Sequence, residues 1–199
     1  MDEFAGQLGQ RLRFLLEADK LKQVLRRSVV LGKHRRENSA EHSWHLTLMA
    51  LVLVDHAAVR NLDLLRVLKM LVVHDLVEID AGDTFAYDEA AKRDQQQREE
   101  RAAERIFALL PPGQAAEMRD LWDEFEASQT PEAQFALALD RLQPMLLNYF
   151  NGGPGWQEHR VTAHQVRDVN ACMEQGSPEL WDYAREMVTA AVERGFLAQ

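Results

Sequence analysis

Apolar residues recur along this chain at spacings of three and four. Leu64, Leu65, Val67, Leu68, Leu71 and Val72 trace one such stripe, which is the period of a helix, and strict two-residue alternation is absent. No proline precedes Pro111, and neither glycine nor proline falls between Gly32 and Gly82. The pattern predicts a first helix from about Asp2 into Arg26, broken near Lys20, and a basic loop from about Ser28 to Asn38. A second helix, capped by Asn38 or Ser39, carries His42 and His45 to about Val59. Asn61 marks a turn, and a third helix runs from Asp63 to about Asp80, stopping near Gly82. A polar helix from about Asp88 reaches Leu110, where Pro111-Pro112-Gly113 ends it. The next runs from about Gln114 to Ala127. Thr130-Pro131-Glu132 places a capping residue before proline at the first helical position, starting a sixth helix that carries Asp140. Thr162 with Gln165 forms a capping box for a seventh, and Ser177-Pro178-Glu179 starts the last, which Gly195 closes. The predicted class is all-α, a single domain with no repeat and no linker.

Composition narrows the class of function. At 199 residues, 46% hydrophobic and 28% charged, the chain has the balance of one globular domain. Its formal net charge of −9 argues against a surface that coats a nucleic acid polymer. The lone cysteine, Cys172, excludes a disulfide within the chain. Met1 to Gln10 lacks the apolar stretch of a signal peptide, and the longest apolar run, Leu46 to Val54, is too short for the roughly 20 residues of a membrane span. A cytoplasmic protein without a membrane partner is therefore expected.

Candidate chemistry gathers around a few residues. His74 and Asp75 are adjacent at the end of an apolar helix, and Glu78 lies one turn on, sharing their face. Asp83 follows Gly82, and His42 sits one turn into the preceding helix. Asp140 interrupts an apolar stretch, Phe135 to Leu139, where a carboxylate is expected only if it is paired or binds a metal. Two histidines and two carboxylates without a thiolate suit Mn, Co, Mg, Fe or Zn rather than copper(I). Such an ion can activate water and polarise a phosphoryl oxygen. Pro144 cannot donate to the carbonyl of Asp140, which predicts a bend that helps aim Asp140. From Lys20 to Arg36 there are seven cations (Lys20, Lys22, Arg26, Arg27, Lys33, Arg35 and Arg36) and no acid, a local reversal of charge suited to a phosphate. Other residues read more plainly. His45 could pack beside His42; His34, His56, His159 and His164 belong on the surface. Trp44, Trp122, Trp156 and Trp181 belong in the core or an interface. Glu41 orients a ligand histidine or favours its helix N-terminus. The stretch from Lys92 to Arg105 is a solvated helix face or a lid over the site.

Taken together, Glu37-Asn38-Ser39-Ala40-Glu41-His42-Ser43, His74-Asp75-Leu76-Val77-Glu78, Gly82-Asp83 and Ala138-Leu139-Asp140 resemble, in order, the HD-domain metal-dependent phosphohydrolases related to 5′-deoxynucleotidases. The similarity spans about residues 21–148 and implies an HD-domain helical bundle over 1–199, with 149–199 as a C-terminal helical extension. It implies one divalent ion held by His42, His74, Asp75 and Asp140, and catalytic acids at Glu78 and Asp83. It also implies a phosphate-binding arginine at Arg26, with Arg27 as the alternative register. The implied reaction is hydrolysis of a nucleoside 5′-monophosphate by metal-activated water, in a homodimer. This chain has Arg27 where the best-studied relatives place a tryptophan that selects deoxyribose, so deoxynucleotide preference is left open. The alternatives are an HD phosphodiesterase or signalling-nucleotide hydrolase, and a non-catalytic nucleotide-binding module.

Overall fold

A computed structural model describes residues 6–32 and 35–199. Helices dominate it: α1 (Gly6–Ala18), α2 (Ser39–Leu53), α3 (Leu64–Val73), α4 (Glu78–Ala81), α5 (Gln95–Phe107) and α6 (Pro112–Ala127) in the first two thirds. Then come α7 (Pro131–Phe150), α8 (Pro154–Glu158), α9 (Ala163–Asn170), α10 (Met173–Gly176) and α11 (Pro178–Glu193). The all-α class holds. The strands among the described residues are β1 (Leu25–Val29) and β2 (Arg36–Asn38), a short antiparallel ribbon.

Helix α7 is the axis of the molecule. Thr130 caps it, accepting from the Ala133 N–H at 3.2 Å, with Pro131 in the first turn. One broad face buries Phe135, Ala136, Leu139, Leu142 and Met145. Around it pack α2, α3, α6, α10 and α11. The small residues Ala133 and Ala136 let neighbours approach closely, and Gly176 of α10 meets the Gln134 carbonyl where a Cβ would collide at 2.0 Å. Helix α7 continues through Pro144 to Phe150.

Four expectations need correction. The first helix ends at Ala18 and gives way to a 3-10 turn over Asp19–Gln23; Arg26 is in a strand. The supposed basic loop is partly the β1–β2 ribbon, whose charged side chains hide its two-residue period: Arg26 and Ser28 face in, Leu25 and Arg27 face out. The third helix tightens at His74 into a 3-10 turn over His74–Val77, then resumes as α4. The polar helix begins at Gln95 rather than near Asp88, because the Asp88 carboxylate accepts the Ala90 and Ala91 N–H groups in a separate turn. The Asn38–Glu41 and Thr162–Gln165 capping boxes form as the pattern predicts, which settles Asn38 over Ser39 as the cap of α2. Glu41 therefore serves the helix end and pairs with Arg35.

Candidate metal centre

Three ligand-type side chains converge where α2, α3 and α7 meet. His42 of α2, His74 at the end of α3 and Asp140 of α7 place a nitrogen or oxygen within 4.8 Å of one another. Both histidines are buried. His42 Nε2 lies 2.9 Å from Asp140 Oδ1, and His74 Nε2 lies 3.9 Å from the same oxygen. His74 Nδ1 faces the Leu71 carbonyl at 3.0 Å; a carbonyl only accepts, so Nδ1 carries the proton and Nε2 a lone pair. That Nε2 is buried without a hydrogen-bond partner, although Asp75 Oδ1 stands 3.0 Å away out of alignment. A lone pair and a ring of carboxylate oxygens leave the centre rich in acceptors. This is the donor set of a divalent cation.

The fourth expected ligand, Asp75, borders this triad but is also engaged elsewhere. Arg26 Nη1 donates to Asp75 Oδ2 at 2.9 Å and lies 3.5 Å from Asp83 Oδ1 and 3.7 Å from Glu78 Oε1, while Nη2 is 3.9 Å from Asp140 Oδ1. The inward face of β1 is what brings Arg26 here. Arg27 points outward, and its backbone N–H serves Asp83. The rest of the basic run is spread out: Lys20 pairs with Glu17, Lys22 with Asp19, and Arg35 with Glu41. His34 and Lys33 lie outside the described residues.

Electrostatics follow from this crowding. Burial, with help from the nearby Arg26 charge, pulls His42 down to about 3, so it is neutral at ordinary pH. His74 is lowered by burial as well. Burial raises Asp75 and Glu78 well above the usual carboxylate range and raises Asp83 too. Asp140 goes the other way: against burial, its closeness to His42 and the positive field of Arg141 hold it low. Burial alone would lower Arg26, but the fields of Asp75, Glu78, Asp83 and Asp140 win and raise it. Ser39 Oγ donates to Glu78 Oε2 at 2.6 Å, fixing that carboxyl with Oε1 on the side of Arg26. Gly82, at φ +75°, reverses the chain after α4 so that Asp83 returns to the cluster.

A cavity of about 270 Å³ opens over these groups. Its walls include Arg26, Asp75, Glu78, Asp83 and Asp140, together with Tyr87, Glu99, Arg141 and Trp156. Sequence reasoning missed several of these. Arg141 has a buried Nε without a hydrogen-bond partner, 4.0 Å from Asp140 Oδ2. Glu99 was expected on a solvated face, yet it is buried beside the cavity with Gln95 donating to it at 2.8 Å. Also missed were Glu37 and Gln143, both buried next to His42. The signal for Gln143 was available: it lies one turn past Asp140 in an apolar run. His56 proves to be paired, with Glu179 at 2.8 Å, and His164 meets Asp168 at 3.1 Å. Trp122, Trp156 and Trp181 are buried, while Trp44 is exposed. No helix among the described residues is long and apolar enough to cross a membrane.

An HD-domain family profile matches residues 18–181. Human 5′-deoxynucleotidase HDDC2 is 32% identical over 136 residues, which are 68% of this chain and 65% of that protein, so the chain matches just under two thirds of that relative's length. The Dictyostelium discoideum 5′-deoxynucleotidase HDDC2 is 29% identical over 162 residues, 79% of this chain and 81% of that protein. Among solved structures, a predicted metal-dependent phosphohydrolase from Magnetospirillum magnetotacticum MS-1 is 48% identical, with a TM-score of 0.91, over 97% of this chain and 99% of that one.

Proposed function

The chain belongs to the HD-domain family, and from that premise we propose that it is a metal-dependent phosphomonoesterase. Its substrates are nucleoside 5′-monophosphates, deoxynucleotides among them, which it hydrolyses to nucleoside and phosphate. One observation carries the reading: the buried His74 Nε2 lacks any partner at a point shared with His42 and Asp140, beneath a cavity that presents an arginine. The names of the HDDC2 relatives support the substrate class.

In this reading His42, His74, Asp75 and Asp140 hold one divalent ion, with manganese and cobalt the first to try. Such an ion, when bound, polarises a phosphoryl oxygen and activates water. Arg26 grips the phosphate oxygens; its fork of donors suits two at once. Phosphoryl transfer needs mostly positioning and charge neutralisation, and a guanidinium in a dry pocket supplies both. Glu78, whose pKa burial and Asp75 push up, serves as the acid that gives a proton to the leaving 5′-oxygen. Asp83 stands beside the Arg26 guanidinium, 3.5 Å from Nη1, as a second acid next to the phosphate site. Arg141 offers a second positive donor on the cavity wall. The same reading includes a cytosolic setting and a homodimer. The dimer is supported by an exposed apolar stripe on α2, formed by Trp44, Leu48, Leu51 and Val52.

The test is a phosphatase screen of protein reconstituted with manganese or cobalt. The panel contains ribo- and deoxyribonucleoside 5′-monophosphates, di- and cyclic nucleotides, and sugar phosphates. Release of phosphate from monophosphates, lost in His74→Ala, is the expected result. Turnover only of di- or cyclic nucleotides would move the chain to the phosphodiesterase reading. Metal binding without any turnover would make it a nucleotide-binding module.

A further inference from the structure

Behind His42 runs a short buried chain of polar groups that the proposed chemistry does not use. Ser28 Oγ on β1 donates to Glu37 Oε2 at 2.8 Å. Glu37 Oε1, on β2, faces Gln143 Nε2 at 2.6 Å. Gln143 Oε1, on α7, faces His42 Nδ1 at 3.1 Å, and its Nε2 is also 3.3 Å from His45 Nδ1. Gln143 and His42 are completely buried, and Glu37 is 3% exposed. Buried groups of this kind are satisfied by one another, so each end of the amide must match its neighbour.

The direction of this chain has a consequence at the metal centre. An ionised carboxylate only accepts, so Glu37 requires the NH2 end of Gln143. The oxygen end then faces His42 Nδ1 and draws the one ring proton of the neutral histidine, against the pull of Asp140 Oδ1 on the other nitrogen. The other nitrogen, Nε2, is left with its lone pair 2.9 Å from Asp140, on the side where a cation belongs. We infer that Glu37 and Gln143 are positioning residues: they lock His42 in the Nδ1–H form, so that Nε2 is ready to bind the ion before the ion arrives. Leu71 does the same for His74 with a main-chain carbonyl. The two ligand histidines are thus set by different means, one by a carbonyl of its own helix and one by a carboxylate relayed through an amide from a two-stranded ribbon. The reverse arrangement puts the proton on Nε2, pointing at Asp140, and requires Gln143 to turn over and Glu37 to hold a proton. Orientation of ligand histidines by such outer partners is commonly worth tenfold to hundredfold in metal affinity.

The inference rests on the metal-binding part of the proposed function, and its first test needs neither a variant nor turnover. In metal-free wild-type protein, nitrogen NMR of the histidine rings reports which His42 nitrogen is protonated. Nδ1–H is expected; Nε2–H overturns the relay. Next, manganese affinity is measured by titration with detection of free Mn²⁺ by EPR. Gln143→Leu should bind about tenfold to a hundredfold more weakly than wild type and give a mixed His42 tautomer. The paired exchange Glu37→Gln with Gln143→Glu places a carboxylate against Nδ1 and an amide donor against it in turn, and should restore both readouts. Gln143→Leu with wild-type affinity, or an exchange variant that folds but regains neither readout, overturns the inference. If Gln143→Leu does not fold, the wild-type spectrum and the exchange variant still decide it. Failure of the phosphatase screen with metal affinity behaving as stated would sink the proposed reaction and leave the relay standing.

Discussion

Arg26 stands within 4 Å of four carboxyl groups, and the balance of that cluster depends on it. Removing one partner from a buried charge group is costly because the remaining charge is left uncompensated. Arg26→Ala should therefore lower the stability of the metal-free protein by about 3–5 kcal/mol, read from urea unfolding. Manganese should restore more stability to this variant than it adds to wild type, since the ion then supplies the missing positive charge. The variant's KM for a monophosphate should rise, with kcat affected less. Glu99 gives a second prediction. Burial raises its pKa despite the bond from Gln95, so the folded protein holds that proton more tightly than the unfolded chain. Its contribution to stability is full below the ordinary glutamate value, roughly 4.3, and is lost as pH rises from there through the folded value. Glu99→Gln should remove that slope and be the more stable protein at neutral pH, measured by denaturant midpoints across pH. At this scale the sequence was informative where chemistry and surroundings clashed. Asp140 in an apolar run and the adjacent His74-Asp75 pair drew notice because charge avoids such places. Gln143 carries no charge and Glu37 lies in a charged run, so neither stood out, although both are buried against a ligand histidine.

Elements were legible where their ends were punctuated. Thr130-Pro131 starts α7 and the Asn38–Glu41 box starts α2, each by satisfying N–H groups that the helix cannot. The ribbon was not legible. Its charged residues mask the alternation. The 3-10 turn at His74 was hidden too, because the apolar stripe continues through Leu76 and Val77 and only the carbonyl geometry tightens. Thr130→Ala should cost about 1 kcal/mol of stability through the lost cap of α7, visible as a shifted denaturant midpoint with unchanged manganese affinity. The exposed stripe of α2 bears on assembly. Leu51→Glu puts a charge in its middle, and light scattering after gel filtration should show the monomer where the parent protein runs as a dimer. A parent protein that is monomeric at the same concentration removes the dimer from the reading.

At the scale of the whole molecule, the acidic chain concentrates buried carboxylates around one arginine and two neutral histidines. A cation that binds only this folded arrangement stabilises it by mass action, by about 2.7 kcal/mol at a hundred times its dissociation constant. Chelation should therefore lower the melting temperature and Mn²⁺ or Co²⁺ should raise it again, and His74→Ala should abolish that response. Asn151, which caps the C-terminal end of α7, donates its side-chain amide to the Val29 and Val30 carbonyls at 2.9 and 3.3 Å. The helix that bears Asp140 and Gln143 is thereby tied to the end of the strand that bears Arg26. The tie acts as a ruler: the gap between guanidinium and carboxylate is set when the polypeptide folds, so an incoming anion does not have to draw an arm across open solvent to be gripped.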